Sequence, residues 1–391
     1  MANRHSSPCA TKAPSKLGGL YIGLISGTSV DAIDAALVRV GDDGTVQETV
    51  ATRSAPLDPG LIERIRAVTG ATPLRDICAL DHDLGRAFAS AALSLPVSGD
   101  EAVTAIGCHG QTVWHAPNNS PPATVQLGDP NVIAAATGLV TVADFRRRDL
   151  AEGGQGAPLA PIFHRYCLAS DCENRAVLNL GGIANLSFLV PGRPPRGFDT
   201  GPANTLLDAW CRRYLQASYD AGGHWAATGR VDEDLLRNLL SDPFFAATPP
   251  KSTGPEYFNL EWLDARLAPD IRPENVQATL AELTAATVAD ALSLHSETAV
   301  ERLLVCGGGA HNSDLMGRLR RRLPGIPVES TDAVNVAPDF VEATGFAWLA
   351  WARLAEHPAD CPATTGAGRP AVLGGVYHGR DATRPARQDT R

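Results

Sequence analysis

The sequence has no long apolar run, no regularly spaced cysteines and very little lysine. Because no 18-residue apolar stretch occurs, we expect no membrane-spanning helix. Residues 1–16 lack the apolar core of a secretory signal, so we expect a cytoplasmic protein. The eight cysteines form no Cys-x-x-Cys pair, and we expect most of them to be small buried apolar groups. Lysine occurs only as Lys12, Lys16 and Lys251, a bias that we attribute to a GC-rich genome.

The charge and the length are those of an ordinary globular protein. The net charge is −9 and no basic stripe compensates it, which disfavours nucleic acid and anionic membranes as partners. The run of three arginines over 146–148 is short and Asp149 follows at once, so we interpret it as local. With 391 residues the chain exceeds the size at which a single core keeps growing, and two domains are expected.

The order of apolar and polar segments divides the chain into two halves. We expect a disordered tail over 1–16, an N-terminal domain over 17–172, a C-terminal domain over 173–375 and a loose tail over 376–391. The boundary falls in the polar stretch SDCENR, near 170–175. Helical patterns alternate with strand-like runs in both halves, which is typical of an α/β protein.

Two glycine turns, about half a chain apart, are the most informative local features. YIGLISGTSVDAIDAAL (21–37) and AVLNLGGIANLSFLV (176–190) each have an apolar run, a turn and a second apolar run, which predicts two hairpins. Backbone amides at such a turn, with the hydroxyls of Thr28 and Ser29, form a concave anion site. One turn in each half predicts two phosphate clamps that face each other across a cleft.

A third glycine site follows an apolar strand in RLLVCGGGAHNSDLMGRLRRRL. A strand that leads into a glycine-rich turn and a helix is a common way to seat a nucleotide. Gly307, Gly308 and Gly309 would then present a flat surface to a ribose or an adenine. Tight backbone packing explains such turns at least as often, and the sequence leaves both explanations open.

Several strings resemble, in one order, those of the anhydro-N-acetylmuramic acid kinase family, within the superfamily of sugar kinases, actin and Hsp70-type ATPases. They span residues 20–375 and are GLISGTSVDAID (23–34), GCHGQTVWHAP (107–117), VADFRRRDLAEGGQGAPLAP (142–161), NLGGIANLS (179–187), GFDTGPAN (197–204), PPKSTG (249–254), CGGGAHN (306–312) and VEATGFAWLA (341–350). The resemblance implies an α/β fold with two RNase H-like domains, of the actin and hexokinase type, around an ATP cleft.

The chain departs from the family pattern at a few positions. Small residues replace small ones at Ala32, Ala203 and Gly345, while Val30 stands where the family usually has methionine. Pro255 stands where the family usually has arginine, which removes a cation near the ligands and leaves Lys251 nearby.

The resemblance also implies a reaction, its cofactors and its partners. 1,6-Anhydro-N-acetylmuramic acid, ATP and water would give N-acetylmuramic acid 6-phosphate and ADP, a step of peptidoglycan recycling, with Mg²⁺ as the metal. The expected partners are this small sugar and ATP, with no nucleic acid and no membrane, and a homodimer stays open. The expected ATP-binding residues are Gly27, Thr28, Ser29, Val30, Asp31, Ala32, Ile33, Asp34, Gly181, Gly182, Asn185, Gly307, Gly308 and Gly309.

We assign the general base to Asp199, within the matched string GFDTGPAN. The anhydro sugar has no free hydroxyl at O6, so a carboxylate must activate water for attack on C1 while the phosphoryl group accepts O6. We expect Asp199 to precede a helix that begins near Pro202 and to be held ionised by the helix dipole. The alternative is that Asp199 only caps this helix.

The remaining roles concern the metal and the sugar. Asp31 is expected to hold Mg²⁺ through water, although a turn aspartate that bonds its own backbone is an equal alternative. Arg146, which with Asp144 lies at the end of the strand VTVADF, is assigned to the lactyl carboxylate of the sugar. Hydrogen bonds to the sugar are assigned to three further residues, Gln111, Thr112 and Glu342.

Two other expectations complete the analysis of single residues. His109 and His115 are six apart without a third ligand, so we expect satisfied loop histidines rather than a zinc site. Arg147 and Arg148 are expected to face solvent or to form ion pairs.

Three hypotheses for the function stay open at this stage. The first is the anhydromuramate kinase, and the second is a kinase of another anhydrosugar such as levoglucosan. The third is a non-enzymatic nucleotide switch or filament protein of the actin or Hsp70 kind. Asp199 argues against the third hypothesis because a switch needs no base on the sugar side. Arg146 favours the first over the second, since only the muramate carries a carboxylate.

Overall fold

The computed structural model describes residues 17–27, 30–97, 101–249 and 251–379. The strands are β1 (Gly19–Ser26), β2 (Ala32–Val40), β3 (Val46–Pro56), β4 (Val103–Ala116), β5 (Ala123–Leu127), β6 (Val140–Ala143), β7 (Arg175–Leu180), β8 (Ile183–Leu189), β9 (Arg196–Pro202), β10 (Arg302–Cys306), β11 (Val328–Ser330) and β12 (Gly375–Tyr377). The predicted tail over 1–16 lies outside the described residues.

The helices alternate with these strands. They are α1 (Pro59–Arg66), α2 (Leu74–Leu93), α3 (Pro130–Thr137), α4 (Phe145–Ala151), α5 (Ala160–Leu168), α6 (Asn204–Leu215), α7 (His224–Thr228), α8 (Glu233–Leu240), α9 (Pro243–Ala246), α10 (Leu260–Asp264), α11 (Pro273–His295), α12 (Ser313–Arg322), α13 (Val341–Leu354) and α14 (Pro362–Thr365). Short 3₁₀ turns lie at Ala221–Gly223, Gly308–His311, Thr331–Val334 and Pro338–Phe340.

Two sheets with the same topology form the framework of the protein. The first has the order β3-β2-β1-β4-β6, extended by β12 and β5, and the second has the order β9-β8-β7-β10-β11. In each sheet the first three strands of the chain pair antiparallel and the next two run parallel to the first. This is the strand order of the RNase H fold, and the predicted fold class of two such domains is confirmed.

Both predicted hairpins are present. β1 pairs antiparallel with β2 from Gly19 opposite Val40 to Ser26 opposite Ile33. β7 pairs antiparallel with β8, with Leu180 opposite Ala184 at the turn. The turns follow apolar runs because each first strand lies in the middle of its sheet, where both faces are covered.

The core has layers on both faces of each sheet. Side chains of α2 and α3 cover one face of the first sheet, and side chains of α11 and α12 cover one face of the second. The opposite faces share a single core with α5 and α13, in which Tyr21 and Val142 of the first sheet belong to the same cluster as Val177 and Leu304 of the second. The two halves are therefore joined by buried apolar contacts.

The end of the described chain returns to the first sheet. α13 packs on β1, β2 and β4, and β12 pairs antiparallel with β6, with Val376 opposite Val142. The sequence instead predicted that 173–375 would form one continuous domain and that 376–391 would be loose. The difference arises because an apolar helix such as α13 does not show in its own pattern which sheet it covers. Residues 380–391 of that predicted tail lie outside the described residues.

Glycines let α13 approach the first sheet closely. A Cβ on Gly23 would lie 1.7 Å from the Ala343 carbonyl oxygen, and one on Gly107 would lie 1.9 Å from the Phe346 carbonyl oxygen. The helix has its own glycine where it meets α5, because the Phe163 ring fills the space that a Cβ on Gly345 would need. This contact explains why the chain departs from the family pattern at 345.

Two expectations from composition can be compared with the described chain. Most of its cysteines are buried, as predicted, whereas Cys78 and Cys172 are exposed. Within residues 17–379, as far as the structure describes them, no helix is both long and apolar enough to cross a membrane.

Candidate active site

The first glycine turn connects β1 to β2 and is strained at Val30. Val30 has a φ of +53°, a conformation that a β-branched residue rarely adopts, and its amide donates to the Gly27 carbonyl. Its side chain is buried in the core beneath the turn. Strain of this kind is stored where the surrounding structure requires it, often at a binding site. Thr28 and Ser29, expected to bind ATP, lie outside the described residues.

Carboxylates surround this turn. Asp31 is exposed at its end, and its carbonyl accepts from the Leu57 amide. Burial raises the pKa of Asp34, and the nearby negative charges of Asp31 and Asp339 raise it further, against a hydrogen bond from Ser54. Asp34 on β2 therefore lies within electrostatic reach of Asp31, at the end of the turn, and of Asp339, on the segment before α13.

The second turn is held by the start of α6. The amide of Asn204 donates to the Gly181 carbonyl, and the amides of Ala203 and Thr205 donate to the Gly182 carbonyl. A Cβ on Gly182 would lie 2.6 Å from the Thr205 hydroxyl, whereas one on Gly181 would meet no protein atom closer than 3.7 Å. The Thr205 hydroxyl thus leaves little space for a Cβ at 182, whereas the surface at 181 is open.

The three glycines of the third site differ in the same way. Gly307 has a φ of +76° and a Cβ there would lie 2.4 Å from the Asn179 amide oxygen. A Cβ on Gly309 would lie 2.5 Å from the Leu180 Cβ, so backbone packing explains both of these glycines. Gly308 has nothing nearer than the Asn204 side chain at 4.0 Å and faces a cavity.

This cavity has a volume of about 410 Å³ and lies beside the second and third glycine turns. Its wall includes Asn204, Asp208, Tyr219, Gly308 and His311. Burial and the charge of Asp220 raise the pKa of Asp208 to about 6, although Arg212 opposes the shift. The cavity combines an open glycine surface, an exposed aromatic ring and a carboxylate, which are suited to a nucleoside.

Asp199 lies on β9 and not at a helix end. It faces Asn185 across the β8–β9 pair, where the register shifts, and α6 begins five residues later at Asn204. The segment before Gly254 runs alongside: the Asp199 amide donates to the Lys251 carbonyl at 3.1 Å, and Asp199 Oδ2 accepts from the Thr253 amide at 3.0 Å. The predicted position at the helix N-terminus is therefore wrong, because pairing with β8 extends the strand through Pro202.

The environment of Asp199 makes it more basic than an exposed aspartate. Burial raises its pKa, and the hydrogen bond from the Thr253 amide opposes that shift without cancelling it. The sequence predicted the opposite direction, since a helix dipole would have favoured the ionised form. A carboxylate with a raised pKa is the better proton acceptor.

A second cavity, of about 450 Å³, opens beside Asp199 and is lined by both halves of the chain. His115 and Gln155 come from the first half, and Asn185, Asp199 and Lys251 come from the second. Asn185, which was expected to bind ATP, thus shares this cavity with Asp199.

Lys251, the lysine near Pro255, is engaged by backbone carbonyls. Its Nζ donates to the carbonyls of Phe244 and Phe245 at the end of α9, and burial lowers its pKa.

Arg146 begins the first turn of α4 at the end of β6. Its Nε donates to His109 Nε2 at 2.9 Å, and its Nη1 donates to the Gly156 carbonyl at 2.7 Å. Burial lowers its pKa, while Glu342 and Asp149 oppose that shift. Burial lowers the pKa of His115, a residue of the second cavity, and the positive charge of Arg146 lowers it further.

Glu342 lies in the first turn of α13, where the N-terminus of that helix meets the cleft. The side chain is accessible to solvent, but protein surrounds it on several sides, and this desolvation raises its pKa. Arg146 lowers that pKa and Asp34 raises it, so Glu342 lies within electrostatic reach of both residues. These three predicted ligand-binding residues are brought together by the fold.

The other predicted polar residues on β4 are engaged with the protein. Gln111 accepts a hydrogen bond from the Ser26 hydroxyl at 2.7 Å, which ties it to the end of β1. Thr112 accepts from Gln126. Both His109 and His115 make hydrogen bonds, as predicted, but they lie on β4 rather than in a loop.

The arginines that flank Arg146 on α4 form ion pairs. Arg147 pairs with Asp144, and Arg148 pairs with Glu152, so both form the predicted ion pairs. In the part of the chain that the structure describes, no three His, Cys, Asp or Glu residues are placed to hold a metal ion.

Sequence reasoning missed several residues around the two cavities. Three of them lie inside the matched strings but were assigned no function there: Gln155, Lys251 and Thr253. Two others, Asp208 and Tyr219, lie outside every matched string. The turn YDAGG, which begins at Tyr219 and follows α6, was the one signal near them.

Two sheets of RNase H order, with glycine turns on both and a cavity between the halves, define a two-domain α/β protein of the actin and hexokinase type. A family model described as anhydro-N-acetylmuramic acid kinase matches residues 19–379. The chain belongs to this family. It is accordingly an ATP-dependent kinase that acts on a small sugar.

Solved structures similar to this chain include two sugar kinases. A ROK family glucokinase from Streptomyces griseus, in complex with glucose and AMPPNP, is 17% identical, with 84% of this chain and 98% of that chain covered and a TM-score of 0.35. The xylulose kinase from Rhodospirillum rubrum is 14% identical, with 85% and 89% covered and a TM-score of 0.45. Component A of the (R)-2-hydroxyglutaryl-CoA dehydratase from Acidaminococcus fermentans is 15% identical, with 86% and 99% covered and a TM-score of 0.43.

Proposed function

We propose that this protein converts 1,6-anhydro-N-acetylmuramic acid, ATP and water into N-acetylmuramic acid 6-phosphate and ADP, as a cytoplasmic step of peptidoglycan recycling. The observation that carries the proposal is the cavity lined by both halves, in which a half-buried carboxylate, Asp199, shares the lining with residues of the opposite domain. Family membership supplies the sugar, and the cavity beside Gly308 supplies a place for the nucleoside of ATP.

In this proposal Asp199 acts as the general base. Its Oδ2 is held by the Thr253 amide, which leaves Oδ1 to accept a proton from water. The water attacks C1 of the sugar, the bond from C1 to O6 breaks, and O6 takes the γ-phosphoryl group of ATP. The leaving oxygen needs no proton because it bonds to phosphorus, so one carboxylate suffices where an inverting glycosidase needs two.

The phosphates of ATP are assigned to the two glycine turns. Gly181 presents an open backbone, and Val30, with its positive φ, ends the first turn. Asp31 is exposed at the end of that turn, and carboxylate oxygen is a ligand that Mg²⁺ prefers. A bound Mg²⁺, held by Asp31 through water and by phosphate oxygens, would offset the charge of the triphosphate.

We assign the sugar to the side of the cleft that the first domain forms, because the arginine that suits its carboxylate lies there. Arg146 is half-buried and bears donors that suit the lactyl carboxylate. Glu342 lies close enough to Arg146 to affect the pKa of the guanidinium. Gln111 and Thr112 are assigned to hydroxyl or acetamido groups. The same arrangement disfavours a neutral anhydrosugar such as levoglucosan, which offers Arg146 no partner.

The proposed chemistry predicts where solvent oxygen ends. In ¹⁸O-water the label should appear at C1 and be absent from the phosphate, and NMR of fresh product should show a single inverted anomer before mutarotation. Attack on the face opposite the departing O6 requires this result. A mixture of anomers at the earliest time, or efficient phosphorylation of free N-acetylmuramic acid, would contradict the concerted mechanism.

The raised pKa of Asp199 predicts the acid side of the pH profile. A base must be ionised, so kcat/KM should fall as the pH drops through a value above the usual range for aspartate, about 3.9. Glu342 also has a raised pKa, and the Glu342→Gln variant separates the two groups. The acid limb should persist in that variant. A limb that disappears with Glu342→Gln would assign the titration to Glu342 instead.

A further inference from the structure

His109 is a buried side chain on β4 whose two ring nitrogens have different partners. It is 6% exposed, its Nδ1 lies 2.9 Å from the Gly110 carbonyl, and its Nε2 lies 2.9 Å from Arg146 Nε. A carbonyl can only accept and a guanidinium can only donate, so the proton is on Nδ1 and Nε2 accepts from Arg146. Burial and the charge of Arg146 lower the pKa of His109 to about 3, which agrees with a neutral ring.

Arg146 is held at a second point by a chain of buried groups. Its Nη1 donates to the Gly156 carbonyl at 2.7 Å, and the Gly156 amide donates to Asp149 Oδ2 at 2.6 Å. Asp149 is fully buried and also accepts from the Thr365 hydroxyl. The guanidinium plane is therefore fixed through two of its three nitrogens, Nε and Nη1, and Nη2 extends from the same fixed plane.

We propose that His109 is a positioning residue that orients Arg146 toward the substrate carboxylate and thereby sets the preference for an anionic anhydrosugar. This inference rests on the proposed function, in which Arg146 binds the lactyl carboxylate. A carboxylate is recognised through paired N–H groups in a fixed plane, so a guanidinium free to rotate binds it less well and discriminates less. In the proposed mechanism His109 takes no part in the attack of water or in the phosphoryl transfer, and it acts only through Arg146.

A purely structural role for His109 is the competing explanation. Its ring lies 4.7 Å from the Phe346 ring, in the core that joins α13 to the first sheet. Loss of this packing would lower the stability of the protein and the activity on every substrate equally. A test must therefore measure discrimination between substrates and not only activity.

Two amide variants separate the two nitrogens of His109. In His109→Gln the amide oxygen can occupy the place of Nε2 and accept from Arg146, whereas in His109→Asn the shorter side chain reaches only the place of Nδ1. The substrates are 1,6-anhydro-N-acetylmuramic acid and its lactyl carboxamide, which has the same shape without the charge. For His109→Asn we expect a 10- to 100-fold loss (about the worth of a hydrogen bond to a charged group) in kcat/KM for the acid. The carboxamide should change less than about threefold, and His109→Gln should restore the preference.

The Phe346→Leu variant is the matched control, because it removes the ring contact and leaves the hydrogen bond to Arg146. It should lower thermal stability without changing the ratio of acid to carboxamide. Calorimetric binding of both sugars in the absence of ATP provides a readout apart from turnover, and the acid should bind His109→Asn more weakly by the same factor. Equal losses for acid and carboxamide in His109→Asn would overturn the inference.

The outcomes also separate this inference from the proposed function. Wild-type protein that phosphorylates neither sugar would refute the proposed function. Wild-type protein that prefers the acid, together with a His109→Asn variant that prefers it equally, would overturn the role of His109 alone.

Discussion

The Asp199→Asn variant is expected to lose sugar phosphorylation by at least about 100-fold, and up to about 10⁴-fold, while ATP still binds. An asparagine keeps the shape of the side chain and can still accept from the Thr253 amide, but it cannot take a proton from water. Its side chain lines the cavity between the halves, apart from the cavity at Gly308. Coupled ADP release measures turnover, and fluorescence or calorimetric titration measures ATP binding.

The control for this variant is an aspartate that accepts from a backbone amide elsewhere in the same half. Asp232 caps α8 by accepting from the Leu235 amide at 2.9 Å, and asparagine caps helices about as well. Asp232→Asn should therefore keep nearly full activity. If Asp199→Asn behaved like this control, Asp199 would be a structural acceptor for Thr253 and another group would be the base.

The local parts of this fold could be predicted because their causes are local. The two hairpins follow from apolar runs on either side of Gly27 and of Gly181, and α3 ends at Gly138, a glycine in the left-handed conformation that commonly ends helices. The same reasoning failed at Asp199, where proline and small residues indicated a helix start. Pairing with β8, a contact distant in sequence, carries the strand through Pro202.

The interactions that define the site are mostly distant in sequence. The hydrogen bond from Arg146 to His109 joins residues 37 apart, and that from Thr365 to Asp149 joins residues 216 apart. Neither pair has a spacing that marks a motif. The sequence therefore identified Arg146 as a candidate ligand group but gave no reason to link it to His109.

The fold explains one part of the third glycine site that the sequence left open. Gly307 and Gly309 pack against Asn179 and Leu180 on β7, whereas Gly308 faces the cavity. Packing thus accounts for two glycines of the run, and Gly308 is the one that stays open for the nucleoside in the proposed function. Composition alone treats the three positions as equivalent.

The last prediction concerns the contact between α13 and the first sheet, which places Glu342 at the cleft. Gly23→Ala should lower the free energy of unfolding by about 3 kcal/mol or more, because overpacking of a tight core costs this order of energy. The added Cβ would meet the backbone carbonyl of Ala343 at 1.7 Å, so no side-chain rotation can relieve the clash. Urea unfolding followed by tryptophan fluorescence gives the free energy, since Trp348 and Trp351 lie on α13.

Gly107→Ala is the independent replicate and Gly317→Ala is the control for these variants. A Cβ on Gly107 would lie 1.9 Å from the Phe346 carbonyl, one turn further along the same helix, so both variants should be destabilised. A Cβ on Gly317 of α12 would meet only a guanidinium nitrogen of Arg321 at 3.4 Å, and there alanine should stabilise by up to about 1 kcal/mol. Because α13 must shift as a unit to accept either methyl, kcat/KM for the sugar should fall in both variants and stay unchanged in Gly317→Ala. Unchanged stability in Gly23→Ala and Gly107→Ala would mean that α13 does not rest on β1 and β4, and the position of Glu342 would need another support.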